Sequence, residues 1–128
     1  QSMTNLERHQ GELLASGRLQ VRCGDARELF VQEPELRGSF DAVHCGCAAD
    51  TGDELEAPPW LVEALAPGGR AVFPRGVADT PQRLCVAERS LNGHTCKVHE
   101  TDVAVLYVPA TSEDGQRARG DVWDDVVA

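Results

Sequence analysis

Two apolar runs constrain this chain more than anything else in it. The first is Phe40-Asp41-Ala42-Val43-His44-Cys45-Gly46-Cys47-Ala48-Ala49, and the second is Pro67-Gly68-Gly69-Arg70-Ala71-Val72-Phe73-Pro74. Phe40 to Gly46 has little polar alternation, which predicts a strand covered on both faces. Between the runs, Pro58-Pro59 can open a helix, Trp60, Leu61, Ala64 and Leu65 share one helical face, and Pro67-Gly68-Gly69 ends it. Ala71-Val72-Phe73 is then the next buried strand. Strand, helix, strand in this style is the later half of a doubly wound α/β domain.

The flanking segments extend the pattern. Thr4-x-x-Glu7 is a capping-box pattern ahead of a short surface helix with a stripe of Leu6, Leu13 and Leu14, broken at Gly11 and ended near Gly17. Leu19, Val21 and Cys23 alternate with Gln20 and Arg22, the period-two signal of a strand, closed by Gly24-Asp25. Ala26 to Leu36 is polar and reads as a short helix plus loop, interrupted by Pro34. Downstream, Arg83 to Ser90 and His94 to Val108 are strand-like and joined by Leu91-Asn92-Gly93-His94, an Asn-Gly hairpin signal in which both turn residues must accept positive φ. The expected architecture is parallel strands ending in an antiparallel hairpin. Residues 1–3 read as an expression scar, 4–111 as the domain, and 112–128 as an acidic tail, mobile unless Val122, Trp123 and Val126 dock onto the core.

Charge narrows the partners. Twenty-one acidic against twelve basic side chains give a formal charge of −9, which repels phosphate backbones and anionic membrane surfaces and argues against nucleic acid or a membrane as partner. No apolar run reaches the roughly 18 residues of a membrane span, and no basic-then-apolar leader is evident, so the expected location is cytoplasmic. Five cysteines is an odd number, and Cys23, Cys45, Cys85 and Cys96 fall in apolar stretches, as small hydrophobes do in a reducing compartment. Cys45, Cys47 and Cys96 with His44, His94 and His99 lack the paired spacings of structural zinc, so buried thiols and surface imidazoles are the plainer reading and no metal is expected.

In order along the chain, these segments resemble the protein-L-isoaspartate O-methyltransferase family. Leu13-Leu14-Ala15-Ser16-Gly17-Arg18-Leu19-Gln20-Val21 with Gly24-Asp25 resembles the family's helix and third strand. Phe40 to His44 with Gly46-Cys47-Ala48-Ala49 resembles its fourth strand and following loop. Leu61-Val62-Glu63-Ala64-Leu65, Pro67-Gly68-Gly69-Arg70 and Phe73-Pro74-Arg75-Gly76 resemble its next helix and strand, and Val105-Leu106-Tyr107-Val108-Pro109 with Thr111 its closing strand. The Pro-Gly-Gly turn alone is common to many methyltransferases; the order of all four segments is specific. The resemblance implies a Rossmann-like methyltransferase fold, of which this is the C-terminal portion, and an enzyme that methylates isoaspartyl carboxylates of damaged proteins from S-adenosylmethionine, a protein-repair reaction leaving S-adenosylhomocysteine.

The resemblance also implies site residues. Asp25 matches the position whose carboxylate accepts from the adenine amino group, and Ala26 the position whose backbone amide faces the ring. Asp25 would sit at a strand's carboxyl end, where open α/β sheets bind ligands; alternatively it caps the next helix. Gly46 and Cys47 match the loop beneath the methionine end of the cofactor, or Gly46 is needed only for the turn. Val108 matches a backbone contact to the extended isoaspartyl substrate, or it is a core-facing strand residue. No residue here is implied as an acid or base. Ala26 stands where the family usually has glycine, and Asp50 to Glu56 forms a longer, more acidic loop without the family's early proline.

The family's glycine-rich loop and its first two strands have no counterpart here, and no Gly-x-Gly-x-x-Gly occurs. Their removal between the strand ending at Asp25 and the strand starting at Phe40 leaves a gap of about 10 Å at about 4.8 Å per strand. The fragment must rearrange, borrow strands, or expose an apolar edge, and a homo-oligomer through unpaired strands is expected. The chain is therefore expected to be weakly active or inactive alone. The alternative is a non-catalytic oligomerising half-domain.

Overall fold

A four-stranded sheet in sequential order carries the fold: β1 (Phe40–His44), β2 (Leu65–Arg75), β3 (Gln82–Arg89) and β4 (Cys96–Val105). The computed structural model describes residues 2–22, 24–48, 55–77 and 80–108. β1 runs parallel to β2, and β2, β3 and β4 are successively antiparallel. The expected α/β class with parallel strands followed by an antiparallel hairpin is what forms.

The core lies on β2 and β3. Ala71 and Phe73 of β2 and Cys85 and Ala87 of β3 are fully buried, and the period of two places each pair on one face. Leu61 and Leu65 pack onto that face with Cys45, while Val43, Trp60, Cys96 and Val98 border it. Burying a side chain the size of Phe73 or Leu61 stabilises by about 1.5–3 kcal/mol each.

Helix α3 (Pro59–Ala64) starts where proline is tolerated, at the first helical position, with the Pro58 carbonyl accepting from Leu61 N–H at 2.9 Å. It ends one residue sooner than the apolar stripe predicts. Leu65 takes up extended backbone and pairs with Phe40, so it is buried as the first residue of β2. The Pro67-Gly68-Gly69 segment lies inside β2, with a register shift against β1. A Cβ at Gly69 would stand 2.9 Å from the Phe40 carbonyl oxygen and 2.8 Å from that of Ala66, which explains the second glycine.

Three expectations fail locally. Leu19 to Arg22 is not a strand; Cys23 lies outside the described residues. A strand needs a ladder partner for its backbone groups, and among the described residues none pairs with this segment. The sheet consequently has no internal gap and begins at β1. Nor is β1 covered on both faces: Ala42 and His44, which share one face, are exposed, as is Asp41 on the other, so the described residues leave much of the strand uncovered. At the N-terminus, α1 (Ser2–Ala15) already includes Ser2 and Met3, so Thr4 lies inside the helix rather than capping it, and the interruption falls at Gln10 (φ −134°) rather than Gly11. The Ala26–Leu36 segment forms as expected, with 3-10 turns at Ala26–Glu28 and Pro34–Leu36 around α2 (Leu29–Gln32).

The hairpin is wider than an Asn-Gly two-residue turn. Strand pairing stops at Arg89 and Cys96. Ser90 carbonyl accepts from Gly93 N–H at 2.9 Å, Asn92 Oδ1 accepts from His94 N–H at 3.0 Å, and Gly93 takes φ +74°. The asparagine thus serves as a side-chain turn former beside a left-handed glycine. Arg89 braces the turn, donating from Nε to the Gly93 carbonyl at 3.1 Å and from Nη1 to the Leu65 carbonyl.

Candidate functional site

Asp25 is held by its own turn. Its Oδ1 accepts from Arg27 N–H at 2.9 Å, capping the 3-10 turn, and the Arg27 guanidinium grips both carboxylate oxygens at 2.5–3.1 Å. The charge-assisted bonds from Arg27 pull the carboxyl down to about 2. The capping alternative is therefore realised, and the carboxylate is ionised at neutral pH. Ala26, exposed, is the first residue of that turn.

The second element is the loop leaving β1. Cys45 N–H donates to the Val72 carbonyl at 2.9 Å and extends the β1–β2 pairing by one residue. Gly46 is exposed, does not adopt a left-handed φ, and an added Cβ would meet nothing within 4 Å. The turn itself does not require glycine at Gly46, and the space beside it is open. Cys47 is half-buried, with its Sγ 3.5 Å from Cys45 Sγ. Burial, then the Cys45 thiol, pushes the Cys47 thiol up to about 11. That thiol also feels the charges of the Arg27 guanidinium and, more weakly, the Asp25 carboxylate.

Val108 closes the arrangement from the far end of the chain. It is 70% exposed, not core-facing, and its carbonyl accepts from Ala48 N–H at 2.9 Å. The preceding residue is fixed by Gln82, a buried polar side chain at 1% exposure. Gln82 Nε2 donates to the Tyr107 carbonyl at 3.1 Å while Tyr107 N–H donates to Gln82 Oε1 at 2.7 Å. One amide thus reads both backbone groups of one residue, in place of a ladder rung.

Gly46, Cys47 and Val108 are in this way linked through the loop leaving β1, while Asp25 and Ala26 belong to a separate turn whose charges reach Cys47. Sequence reasoning missed Arg27 and Gln82. Arg27 was discoverable, because an arginine two residues after a capping aspartate can return to it. Gln82, between Pro81 and Arg83, has no apolar periodicity to betray its burial. Most of the acidic Asp50–Glu56 loop, Cys23, Pro109 and the whole 112–128 tail lie outside the described residues. Among the described residues no group of three or more His, Cys, Asp or Glu gathers around a metal-sized site, and no helix is long and apolar enough to cross a membrane.

Comparison with known proteins gives a consistent result. The profile of the protein-L-isoaspartate(D-aspartate) O-methyltransferase family matches residues 1–115. The chain is 37% identical over 108 residues to protein-L-isoaspartate O-methyltransferase 1 of Arabidopsis thaliana, covering 84% of this chain and 41% of that protein. To the Triticum aestivum protein-L-isoaspartate O-methyltransferase it is 36% identical over 116 residues, 90% of this chain and 45% of the other. Among solved structures, a Plasmodium falciparum protein described as a protein-L-isoaspartate O-methyltransferase, in complex with S-adenosyl-L-homocysteine, superposes with a TM-score of 0.63 at 25% identity, over 88% of this chain and 47% of that one. The chain spans less than half the length of these relatives. Fold, family profile and relatives agree: the chain belongs to the protein-L-isoaspartate(D-aspartate) O-methyltransferase family.

Proposed function

We propose that this chain is the distal part of the catalytic domain of a protein-L-isoaspartate (D-aspartate) O-methyltransferase, acting with S-adenosylmethionine on isoaspartyl carboxylates of damaged proteins. The observation that carries the reading is the Ala48–Val108 bond, which joins the loop bearing Gly46 and Cys47 to the segment bearing Val108. On this reading the residues expected at the cofactor and at the substrate border one crevice at the carboxyl end of β1.

The donor set suits an adenosine-bearing ligand. Asp25 is ionised, and Arg27 donates two bonds to each carboxylate oxygen, so an adenine amino group would have to take over one of the acceptor sites that Arg27 holds. Ala26 would face the ring edge, its methyl narrowing that pocket. Gly46 and Cys47 would lie under the methionine end, where the open space beside Gly46 permits close approach. When bound, S-adenosylmethionine supplies an electrophilic methyl on a sulfonium. The backbone at Val108 holds the isoaspartyl segment as an extended peptide. An isoaspartyl carboxylate is already ionised at neutral pH, so no general base is required and the chain's contribution is orientation. The methyl ester product can then cyclise spontaneously to a succinimide.

Free thiols at Cys45, Cys47, Cys85 and Cys96 support a reducing compartment, the cytoplasm. With one side of β1 open, the chain alone holds cofactor weakly and associates with a second copy through that edge. The open edge also favours the second reading, an oligomerising half-domain without catalysis. Isothermal titration with S-adenosylhomocysteine separates them: heat of binding that Asp25→Ala weakens supports the enzyme, and silence up to millimolar ligand supports the half-domain.

A further inference from the structure

Cys45 and Cys47 flank Gly46 on the loop leaving β1, with Sγ atoms 3.5 Å apart. We propose that this Cys-Gly-Cys pair is a two-thiolate site for a soft trivalent metalloid, the chemistry represented by a trivalent arsenical. Geometry selects the class. With sulfur bonds of about 2.3 Å, a 3.5 Å separation sets an angle of roughly 100° at the bound centre. That angle suits a pyramidal trivalent centre. A linear two-coordinate ion would need sulfurs about 4.6 Å apart, and tetrahedral zinc would need two further ligands. Among the described residues no third His, Cys, Asp or Glu joins the pair.

The other described thiols are not arranged this way. Cys85 and Cys96 lie on neighbouring strands but are paired with Glu100 and Arg89, not with one another. Cys47 is half-buried and can be reached first; Cys45, at 6% exposure, lies behind it. With an organoarsenic(III) oxide, Cys47 sulfur forms the first arsenic–sulfur bond and Cys45 sulfur the second. The two S–H protons leave with the oxide oxygen as water, and arsenic stays trivalent, so no oxidant or reductant enters. Burial holds the Cys47 thiol protonated near neutrality, so its sulfur is bonded slowly, and the chelate's retention rather than its rate of formation marks the site. The consequence of occupancy rests on the methyltransferase reading: a filled chelate would obstruct the methionine end of the cofactor.

The test incubates the whole reduced chain with phenylarsine oxide and reads intact mass and free thiols. The expected result is one adduct with two thiols consumed. Cys47→Ser should release the arsenical to a competing monothiol on the order of 100-fold more readily, the loss expected when a chelate becomes a single bond. Cys23→Ser and Cys96→Ser should leave release unchanged. An adduct equally retained in Cys47→Ser, or thiols consumed as separate single-bond adducts, overturns the site. Because Cys45 is buried, Cys47→Ser is the deciding variant and Cys45→Ser only corroborates. Competition with S-adenosylhomocysteine is scored separately: a chelate that forms without competing refutes the cofactor wall and leaves the dithiol site standing.

Discussion

Ala48 N–H donates to the Val108 carbonyl at 2.9 Å, joining the loop that leaves β1 to the segment that leaves β4. These are the two outer strands of the sheet, and β2 and β3 lie between them. The bond therefore crosses over the strand ends rather than through the ladder, and it brings a cofactor-side candidate loop to the substrate-side candidate Val108. Gln82 supplies the second tether by gripping both backbone groups of Tyr107.

Replacing Gln82 should loosen this closure. Gln82→Leu keeps the volume but leaves Tyr107 N–H and carbonyl without their partner, at a cost of about 1–3 kcal/mol in denaturant unfolding. Gln82→Glu tests the same geometry through pH. A buried glutamate has its folded value raised, so the stability of that variant is fully present below the unfolded value of about 4.3 and is lost as pH rises through the folded value. The protonated acid both donates and accepts, as the amide does. A Gln82→Glu stability independent of pH between 4 and 8 would contradict the clamp.

Arg27 should be visible in the titration of Asp25. With the carboxyl drawn down to about 2, the carboxylate signal followed by NMR should stay flat from pH 7 to 4. The sign is that of a depressed acid: any stability it confers is present above the unfolded value of about 3.9 and lost as pH falls toward about 2. Arg27→Gln should return the midpoint toward about 3.9. Because the Arg27 side chain is exposed and Asp25 is partly so, the pair is screened by solvent, and global stability should move by no more than about 1 kcal/mol. A wild-type midpoint near 4 would remove the bidentate grip.

How much of this was legible in the sequence follows from where each signal is generated. β2 and β3 announce themselves because their partners lie in the chain, so apolar residues such as Phe73 and Cys85 appear on one period. Leu19 to Arg22 carries an equally clear period of two and forms no strand, because alternation describes a face and says nothing about whether a neighbouring strand exists to receive the backbone. β1 is exposed at Asp41, Ala42 and His44 although its composition was read as buried, because apolar character does not say whether a helix packs over a face. Asp25, Gly46 and Val108 were marked by family resemblance. Arg27 and Gln82 were not, since their roles arise from contacts, one across a tight turn and one between β3 and Tyr107.

Cys47 should be slow to alkylate near neutrality. Burial and the Cys45 thiol raise it to about 11, so the neutral thiol dominates, and the iodoacetamide rate should rise about tenfold per pH unit from 7 to beyond 9. A raised thiol contributes stability below its unfolded value of about 8.5, and that contribution fades as pH rises toward about 11. Cys45→Ala should speed alkylation at pH 7.5 if the neighbouring thiol holds it up. Cys47 reacting at pH 7 as fast as a free cysteine would contradict the buried, paired environment.

Among the described residues no strand pairs with the outer side of β1, which predicts association, and the ladder says which substitution should stop it. Cys45 N–H turns toward β2, where it meets the Val72 carbonyl. By the two-residue alternation Val43 does the same, whereas Ala42 and His44 turn their N–H groups to the free edge. Ala42→Pro therefore removes an outward donor without touching the β1–β2 ladder, and proline is tolerated at sheet edges. Size-exclusion chromatography with light scattering should report a dimer or larger for the wild-type chain and a monomer for Ala42→Pro, with far-ultraviolet circular dichroism unchanged. A wild-type chain that runs as a clean monomer at tens of micromolar would show that this edge does not pair with a copy of itself.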